Sequence, residues 1–108
     1  MNPLPAPNGF PRFQIEASAK VHDAIKQCQR VATLDGRGIQ FASAFRQILK
    51  RLQTNPSRFG EELFHLRALH LRIRCAVIRP VYIDFGVSED RRVVYLRIVK
   101  LLAKPGHR

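Results

Sequence analysis

The spacing of apolar residues changes once along the chain, near residue 56. Before that point they recur every three or four positions, which places them on one face of each of two helices. The first helix is predicted over residues 18–34, with Ser18 as its N-cap, and the second over residues 39–54. A short turn containing Gly36 and Gly38 separates them, so we expect an antiparallel helical hairpin. The predicted buried stripes are Val21, Ala24, Ile25, Cys28, Val31 and Ala32 in the first helix, and Phe41, Ala42, Phe45, Ile48, Leu49 and Leu52 in the second.

Beyond residue 56 apolar and polar residues alternate with a period of two, which is typical of strands with one buried face. Strands are predicted over residues 59–67, 71–78, 81–87 and 93–99, and a short one over residues 11–16 precedes the helices. The alternation predicts these inward side chains: Phe13, Ile15, Phe64, Leu66, Leu71, Ile73, Cys75, Val77, Val81, Ile83, Phe85, Val87, Val94, Leu96 and Ile98. The expected fold is α+β, with a two-helix antiparallel hairpin on one face of a twisted antiparallel sheet of four to five strands.

The length of 108 residues suits a single domain. We expect a flexible proline-rich arm over residues 1–12, one folded domain over residues 13–103 and a short basic tail over residues 104–108. No apolar stretch reaches the roughly 18–20 residues of a membrane helix, and the start lacks the pattern of a secretory signal. The sequence therefore predicts a cytoplasmic protein without a membrane partner.

The charge balance narrows the choice of partners. Nineteen Lys and Arg against eight Asp and Glu give a net charge of +11, spread over both halves of the chain. A domain this basic is expected to meet a polyanion, either a nucleic acid or an acidic protein. The two cysteines, Cys28 and Cys75, fall within apolar patterns and are expected to be reduced, buried thiols.

The water-facing side of the predicted sheet is the first candidate for a binding site. Cations interleaved with tyrosines suit phosphate contacts combined with base stacking, although a solvated face of any basic protein has a similar composition. The candidate nucleic-acid-binding residues are His65, Arg67, Arg79, Tyr95, Arg97 and Lys100, with Arg72, Arg74, Tyr82 and Asp84 on the same predicted face. The four histidines lack metal-ligand spacing and no nucleotide loop is present, so neither a metal nor a small-molecule cofactor is expected.

Three segments that follow the helical hairpin and Asn55-Pro56 resemble, in their order and spacing along the chain, those of a known protein family. They are Phe59-Gly60-Glu61-Glu62-Leu63, Leu71-Arg72-Ile73-Arg74 and Val81-Tyr82-Ile83-Asp84-Phe85-Gly86-Val87. Over residues 13–102 the chain resembles the RelE/ParE toxin superfamily of bacterial type II toxin–antitoxin systems. The resemblance implies a small basic protein neutralised by an acidic antitoxin, encoded next to it, that wraps the sheet and helices. RelE-type members cut mRNA on the ribosome, whereas ParE-type members inhibit DNA gyrase and have no nuclease activity.

The resemblance also implies site residues. Arg72 and Arg74 match the two basic residues, two apart, that RelE-type nucleases use, and they would stabilise the charge of the scissile phosphate. Tyr82 stands where the family has an arginine, with Arg79 just before it. The basic residue and tyrosine near the family's C-terminus are unmatched, and Tyr95 or His107 are the available substitutes.

The implied function is that of a toxin-like component that inhibits translation by binding ribosome-associated mRNA, with cleavage of that mRNA if the partial catalytic set is active. The alternatives are a non-enzymatic ParE-like inhibitor that binds DNA gyrase or another protein, and a catalytically degenerate basic binding module.

Overall fold

The computed structural model describes residues 12–104, which form a layer of two helices on one side of a five-stranded sheet. The predicted α+β fold is confirmed. Most of the predicted arm, residues 1–11, and residues 105–108 of the predicted tail lie outside the described residues. The elements are β1 (Gln14–Ala17), α1 (Ala19–Leu34), α2 (Gly38–Thr54), β2 (Glu61–Leu66), β3 (Leu71–Ile78), β4 (Val81–Ser88) and β5 (Val93–Leu101), with short 3-10 turns at Pro56–Arg58 and Arg67–Leu69.

Both helices begin and end close to their predicted boundaries. The Ser18 hydroxyl caps α1 by accepting a hydrogen bond from the Val21 backbone N–H at 3.2 Å. Gly36 has a φ of 76°, a left-handed conformation that glycine adopts without strain and that reverses the chain between the helices. Val31 was expected in the buried stripe but is 39% exposed, since it lies at the edge of that stripe.

The sheet has the order β1-β5-β4-β3-β2. The four strands after the helices form the predicted antiparallel meander, whereas β1 pairs with β5 in parallel. Each helix and each later strand reverses the direction of the chain, so β1 and β5 run the same way. The sheet is therefore mixed, which corrects the expectation of a wholly antiparallel one.

The core lies between the helix layer and one face of the sheet. In α2 the rings of Phe41 and Phe45 stack at 5.9 Å, and Phe59, from the loop before β2, stacks on Phe85 of β4 at 6.0 Å. Predicted inward residues Phe13 and Ile15 are confirmed at this interface. The residues with least exposure here include Ala32, Phe41, Ile48, Leu52, Val81, Ile83, Phe85 and Val94.

A bulge in β5 overturns one sequence prediction. Asp84 pairs with Ile98 and Phe85 pairs with Leu96, so Arg97 is an extra residue in β5 that has no partner across the strands. The extra residue shifts the alternation by one position. Val99, 6% exposed, therefore faces the helices in place of the predicted Ile98, which is 37% exposed.

None of the helices within residues 12–104 is both long enough and apolar enough to cross a bilayer. The two half-buried cysteines lie on different sides of the sheet, which prevents a disulfide between them. Cys28 packs on the helix side, where its thiol donates to the Val99 carbonyl at 3.7 Å, while Cys75 shares the opposite face with its cross-strand partner Asp84. Burial raises the pKa of the Cys28 thiol.

Candidate interaction surface

Strand register decides which face of the sheet each side chain occupies, because residues directly opposite one another share a face. Ala76 pairs with Ile83 and Ile78 with Val81, and all four contribute to the core. The opposite side of the sheet is called the open face. Its residues are Gln14, Glu16, Glu61, Phe64, Leu66, Leu71, Ile73, Cys75, Val77, Tyr82, Asp84, Gly86, Ser88, Val93, Tyr95, Arg97, Ile98 and Lys100.

Arg72 and Arg74 lie on the helix side of the sheet, and their predicted place on the water-facing side is wrong. They pair with Val87 and Phe85, both of which are core residues. The prediction that Leu71, Ile73, Cys75 and Val77 point into the helix-covered core is wrong for the same reason. Both faces of β3 carry apolar residues, so alternation alone could not tell which one the helices cover.

The Arg74 side chain is hydrogen-bonded to backbone carbonyls of the protein itself. Its guanidinium donates to the carbonyls of Phe59 at 3.0 Å and Gly60 at 2.9 Å, and its side chain is only 12% exposed. Arg72 is 49% exposed and forms an ion pair with Glu62 at 3.1 Å. Arg74 therefore fixes the loop before β2 against β3, and neither guanidinium is left without a protein partner.

The third predicted catalytic residue, Tyr82, lies on the other side of the sheet from these arginines. Its neighbours across the strands are Val77 and Lys100. Burial raises the pKa of the Tyr82 phenol, and its contact with Cys75 and the charge of Asp84 raise it further. The phenol thus remains protonated at neutral pH, unlike a general base. The structure does not bring Arg72, Arg74 and Tyr82 together.

The predicted nucleic-acid-binding residues are also dispersed. His65 pairs with Arg72 on the helix side, while Arg67 and Arg79 are exposed in turns at the two ends of β3. Tyr95 and Lys100 do lie on the open face, as predicted. Arg97 extends over it from the bulge.

The open face carries exposed apolar side chains among charged ones, a mixture that the alternation pattern did not predict. Phe64, Leu66, Val77 and Ile98 are between 37% and 50% exposed, although all four were expected in the core. Ile73 is 1% exposed because the absence of a side chain at Gly86 lets it lie against β4. The sequence of β3 has apolar residues on both of its sides, which indicates a second apolar surface. Only the pairing of β3 with β4 shows which side the helices leave uncovered.

One ion pair lies within this apolar surface. Arg97 Nη1 is 3.0 Å from Asp84 Oδ1 without forming an aligned hydrogen bond, and the guanidinium lies 5.7 Å from the ring centre of Phe64. The Asp84 side chain is 7% exposed and that of Arg97 is 40% exposed. Burial raises the pKa of Asp84, and the charge of Arg97 partly offsets the effect.

The far end of the open face contains a groove of about 290 Å³. Leu69, Leu71 and Tyr95 supply its apolar lining, with Ser88 and Arg91 at its edge. The groove is large enough to receive an apolar side chain from a partner.

A second groove, of about 230 Å³, lies on the helix side beside Arg72 and His65. His70, Glu89 and Asp90 complete it, and sequence reasoning did not single them out as functional. His70 Nδ1 lies 3.8 Å from Asp90 Oδ2, and the Ser57 hydroxyl donates to Glu89. Two carboxylates, Glu89 and Asp90, lie in this groove with Arg72, so the groove is not a concentrated anion site. Within residues 12–104 no three His, Cys, Asp or Glu side chains converge on a metal position.

Comparison of the chain with models of protein families, with curated proteins and with solved structures finds no significant match.

Proposed function

We propose that this protein is the basic, toxin-like component of a two-protein pair and that it acts by binding other macromolecules rather than by cleaving RNA. The observation that supports this best is the set of exposed apolar side chains on the open face. Contiguous exposed apolar surface on a small protein marks an interaction site. Phe64, Leu66, Val77 and Ile98 expose apolar side chains from three strands of this face, around the Asp84–Arg97 ion pair.

The partner of this face is an acidic, amphipathic protein segment, as expected of an antitoxin. Its apolar side chains would pack on the exposed residues of the open face and enter the groove beside Tyr95, supplying most of the affinity. Its carboxylates would meet Arg67, Arg91 and Lys100, which are exposed around the face. This charge complementarity would speed association and select an acidic partner over a neutral one.

The positions of the candidate catalytic residues favour binding over nuclease activity. Phosphoryl-group stabilisation needs cations and a proton-transfer group converging on one phosphate. Here the sheet separates Tyr82 from Arg72 and Arg74, and the Arg74 guanidinium donates to two backbone carbonyls.

Co-purification with the acidic protein encoded in the adjoining reading frame tests the proposed partner. We expect a stoichiometric complex for the wild-type chain and none for Val77→Asp/Ile98→Asp, which places negative charge on the open face. The matched control is Leu34→Asp/Ile39→Asp, because these residues are 83% and 86% exposed at the helical turn. Loss of the complex in the control alone, or no complex with the wild-type chain, would refute the assignment of the open face.

A further inference from the structure

We propose that the outer surface of the helix layer binds the phosphate backbone of a nucleic-acid duplex without reading its sequence. This surface lies on the opposite side of the molecule from the open face and is independent of the protein partner proposed for that face.

Charge is distributed unevenly between the two layers. The two helices contain six Lys and Arg residues and one acidic residue, Asp23. The other acidic residues lie outside the helices, where the ion pairs of the described residues also lie. The positive charge of the helices is therefore left uncompensated by the fold.

Four of these cations point away from the sheet. Lys26 and Arg30 are one turn apart on α1, and Arg46 and Lys50 are one turn apart on α2. At 100° per residue each pair lies opposite the buried stripe of its helix, and all four residues are exposed. None of them has a carboxylate partner within residues 12–104.

The antiparallel hairpin brings the two pairs side by side. Lys26 and Arg46 are equally far along the chain from Gly36, so they lie at about the same height in the two helices. Packed helices are about 8–10 Å apart, and one turn spans about 5.4 Å. The four cations thus form a compact patch that can contact several phosphates at once. Lys26, Arg30, Arg46 and Lys50 are together called the helix patch.

The absence of stacking residues from this surface favours a duplex over a single strand. Single-strand binders combine cations with exposed aromatic rings on which bases stack. The aromatic residues of the two helices are Phe41, which is 1% exposed, and Phe45, which stacks on it and packs against the core. The helix patch can therefore neutralise phosphates but cannot hold unstacked bases.

Two variants of equal charge test the proposal. The helix-patch variant is Lys26→Gln/Arg30→Gln/Arg46→Gln/Lys50→Gln. The sheet-side variant is Arg67→Gln/Arg79→Gln/Arg91→Gln/Lys100→Gln, all exposed in the structure. Each loses four positive charges, so any difference between them reports position rather than net charge. Circular dichroism of both verifies that the fold is retained.

The probe is a fluorescent duplex of about 20 base pairs, longer than the roughly 25 Å of α2, made separately of DNA and of RNA. We expect the helix-patch variant to bind the duplex at least tenfold more weakly than the wild type. Its plot of log affinity against log salt should be shallower by about 3 to 4, since each phosphate contact contributes about 0.9. The sheet-side variant should keep a slope close to that of the wild type.

Equal losses in both variants would attribute binding to net charge alone and overturn the proposal. A larger loss in the sheet-side variant would assign binding to the side originally predicted from the sequence. Tighter binding of a single strand of the same length, or equal binding to anionic lipid vesicles, would also overturn it. Because duplex affinity and capture of the acidic protein are separate measurements on opposite surfaces, failure of either proposal can be distinguished from failure of the other.

Discussion

Arg72 and Arg74 are two residues apart on β3 and both lie near the Glu62 carboxylate, at 3.1 Å and 3.9 Å, but they differ in their other contacts. Arg74 donates to two carbonyls of the loop before β2, whereas Arg72 forms a half-exposed ion pair with Glu62. Removing a donor from carbonyls beneath a 12% exposed side chain leaves them unsatisfied, at a cost of about 1–3 kcal/mol. An exposed ion pair contributes about 0–1 kcal/mol.

We therefore expect Arg74→Ala to lower the free energy of unfolding by about 1–3 kcal/mol and Arg72→Ala by less than about 1 kcal/mol. Urea unfolding of the two variants measures the difference. If Arg74→Ala were as stable as the wild type, Arg74 would not have the structural role assigned to it.

The buried Asp84 carboxyl makes stability depend on pH. Its pKa is raised above the usual value of 3.8, mainly by burial. As pH rises above that value, the unfolded chain loses the proton before the folded one does, which favours unfolding. The stabilising contribution of the protonated carboxyl is thus complete below the usual pKa and is lost as pH passes through the raised one.

Asp84→Asn removes this titration while retaining the shape of the side chain. Urea unfolding at a series of pH values should show the stability of the wild type falling relative to that of the variant as pH rises from below 3.8 through the raised pKa. If the stability of the wild type relative to the variant stayed constant or rose over that interval, the burial of Asp84 described here would be contradicted.

At the scale of elements, Gly60 permits the loop before β2 to lie against β3. It has a φ of 70°, and a Cβ at this position would lie 1.9 Å from the Cys75 carbonyl oxygen. Gly36 has a similar φ of 76°, yet a Cβ there would meet nothing within 4 Å. Substituting alanine at Gly36 therefore measures the cost of the left-handed backbone alone, whereas substituting it at Gly60 adds the cost of steric overlap with β3.

Gly36→Ala should destabilise the protein by about 1–2 kcal/mol, the cost of a left-handed conformation for alanine. Gly60→Ala adds overlap with the backbone of β3, and we expect a total of about 3 kcal/mol or more. Thermal unfolding of both variants provides the comparison. Equal losses would mean that the loop does not approach β3 as closely as the structure indicates.

The helices and strands could be predicted from the sequence where a single pattern of apolar residues defined each of them. The helices have one apolar stripe each and a capping serine, so their boundaries were correct to within a residue or two. The faces of β3 were not predictable, because Ala76 and Ile78 on one side compete with Ile73 and Val77 on the other. In β5 the extra residue Arg97 shifts the alternation, and no local property of the sequence marks that bulge.

At the scale of the whole molecule, the sequence shows a net charge of +11, but it did not predict how the cations divide between the sheet and the helices. The sheet face that was predicted to be cationic carries four exposed apolar side chains among its charged ones. The helices also carry exposed cations that have no carboxylate partner within residues 12–104. Long-range pairing between strands determines this arrangement, since it assigns Arg72 and Arg74 to the helix side. The two proposals accordingly assign the exposed apolar side chains of the sheet to a protein partner and the cations of the helices to a polyanion.

The proposed function requires that the protein act without cleaving mRNA and that its open face bind the acidic partner. Induced expression of three chains, with growth and the 5′ ends of cellular mRNA followed together, tests it most directly. The wild type and Arg72→Ala should stop growth while mRNA remains intact. Co-expression of the acidic partner should restore growth with the wild type but not with Val77→Asp/Ile98→Asp, whose open face no longer binds that partner. New mRNA ends that appear with the wild type and disappear with Arg72→Ala, or growth that continues with the wild type, would contradict the claim.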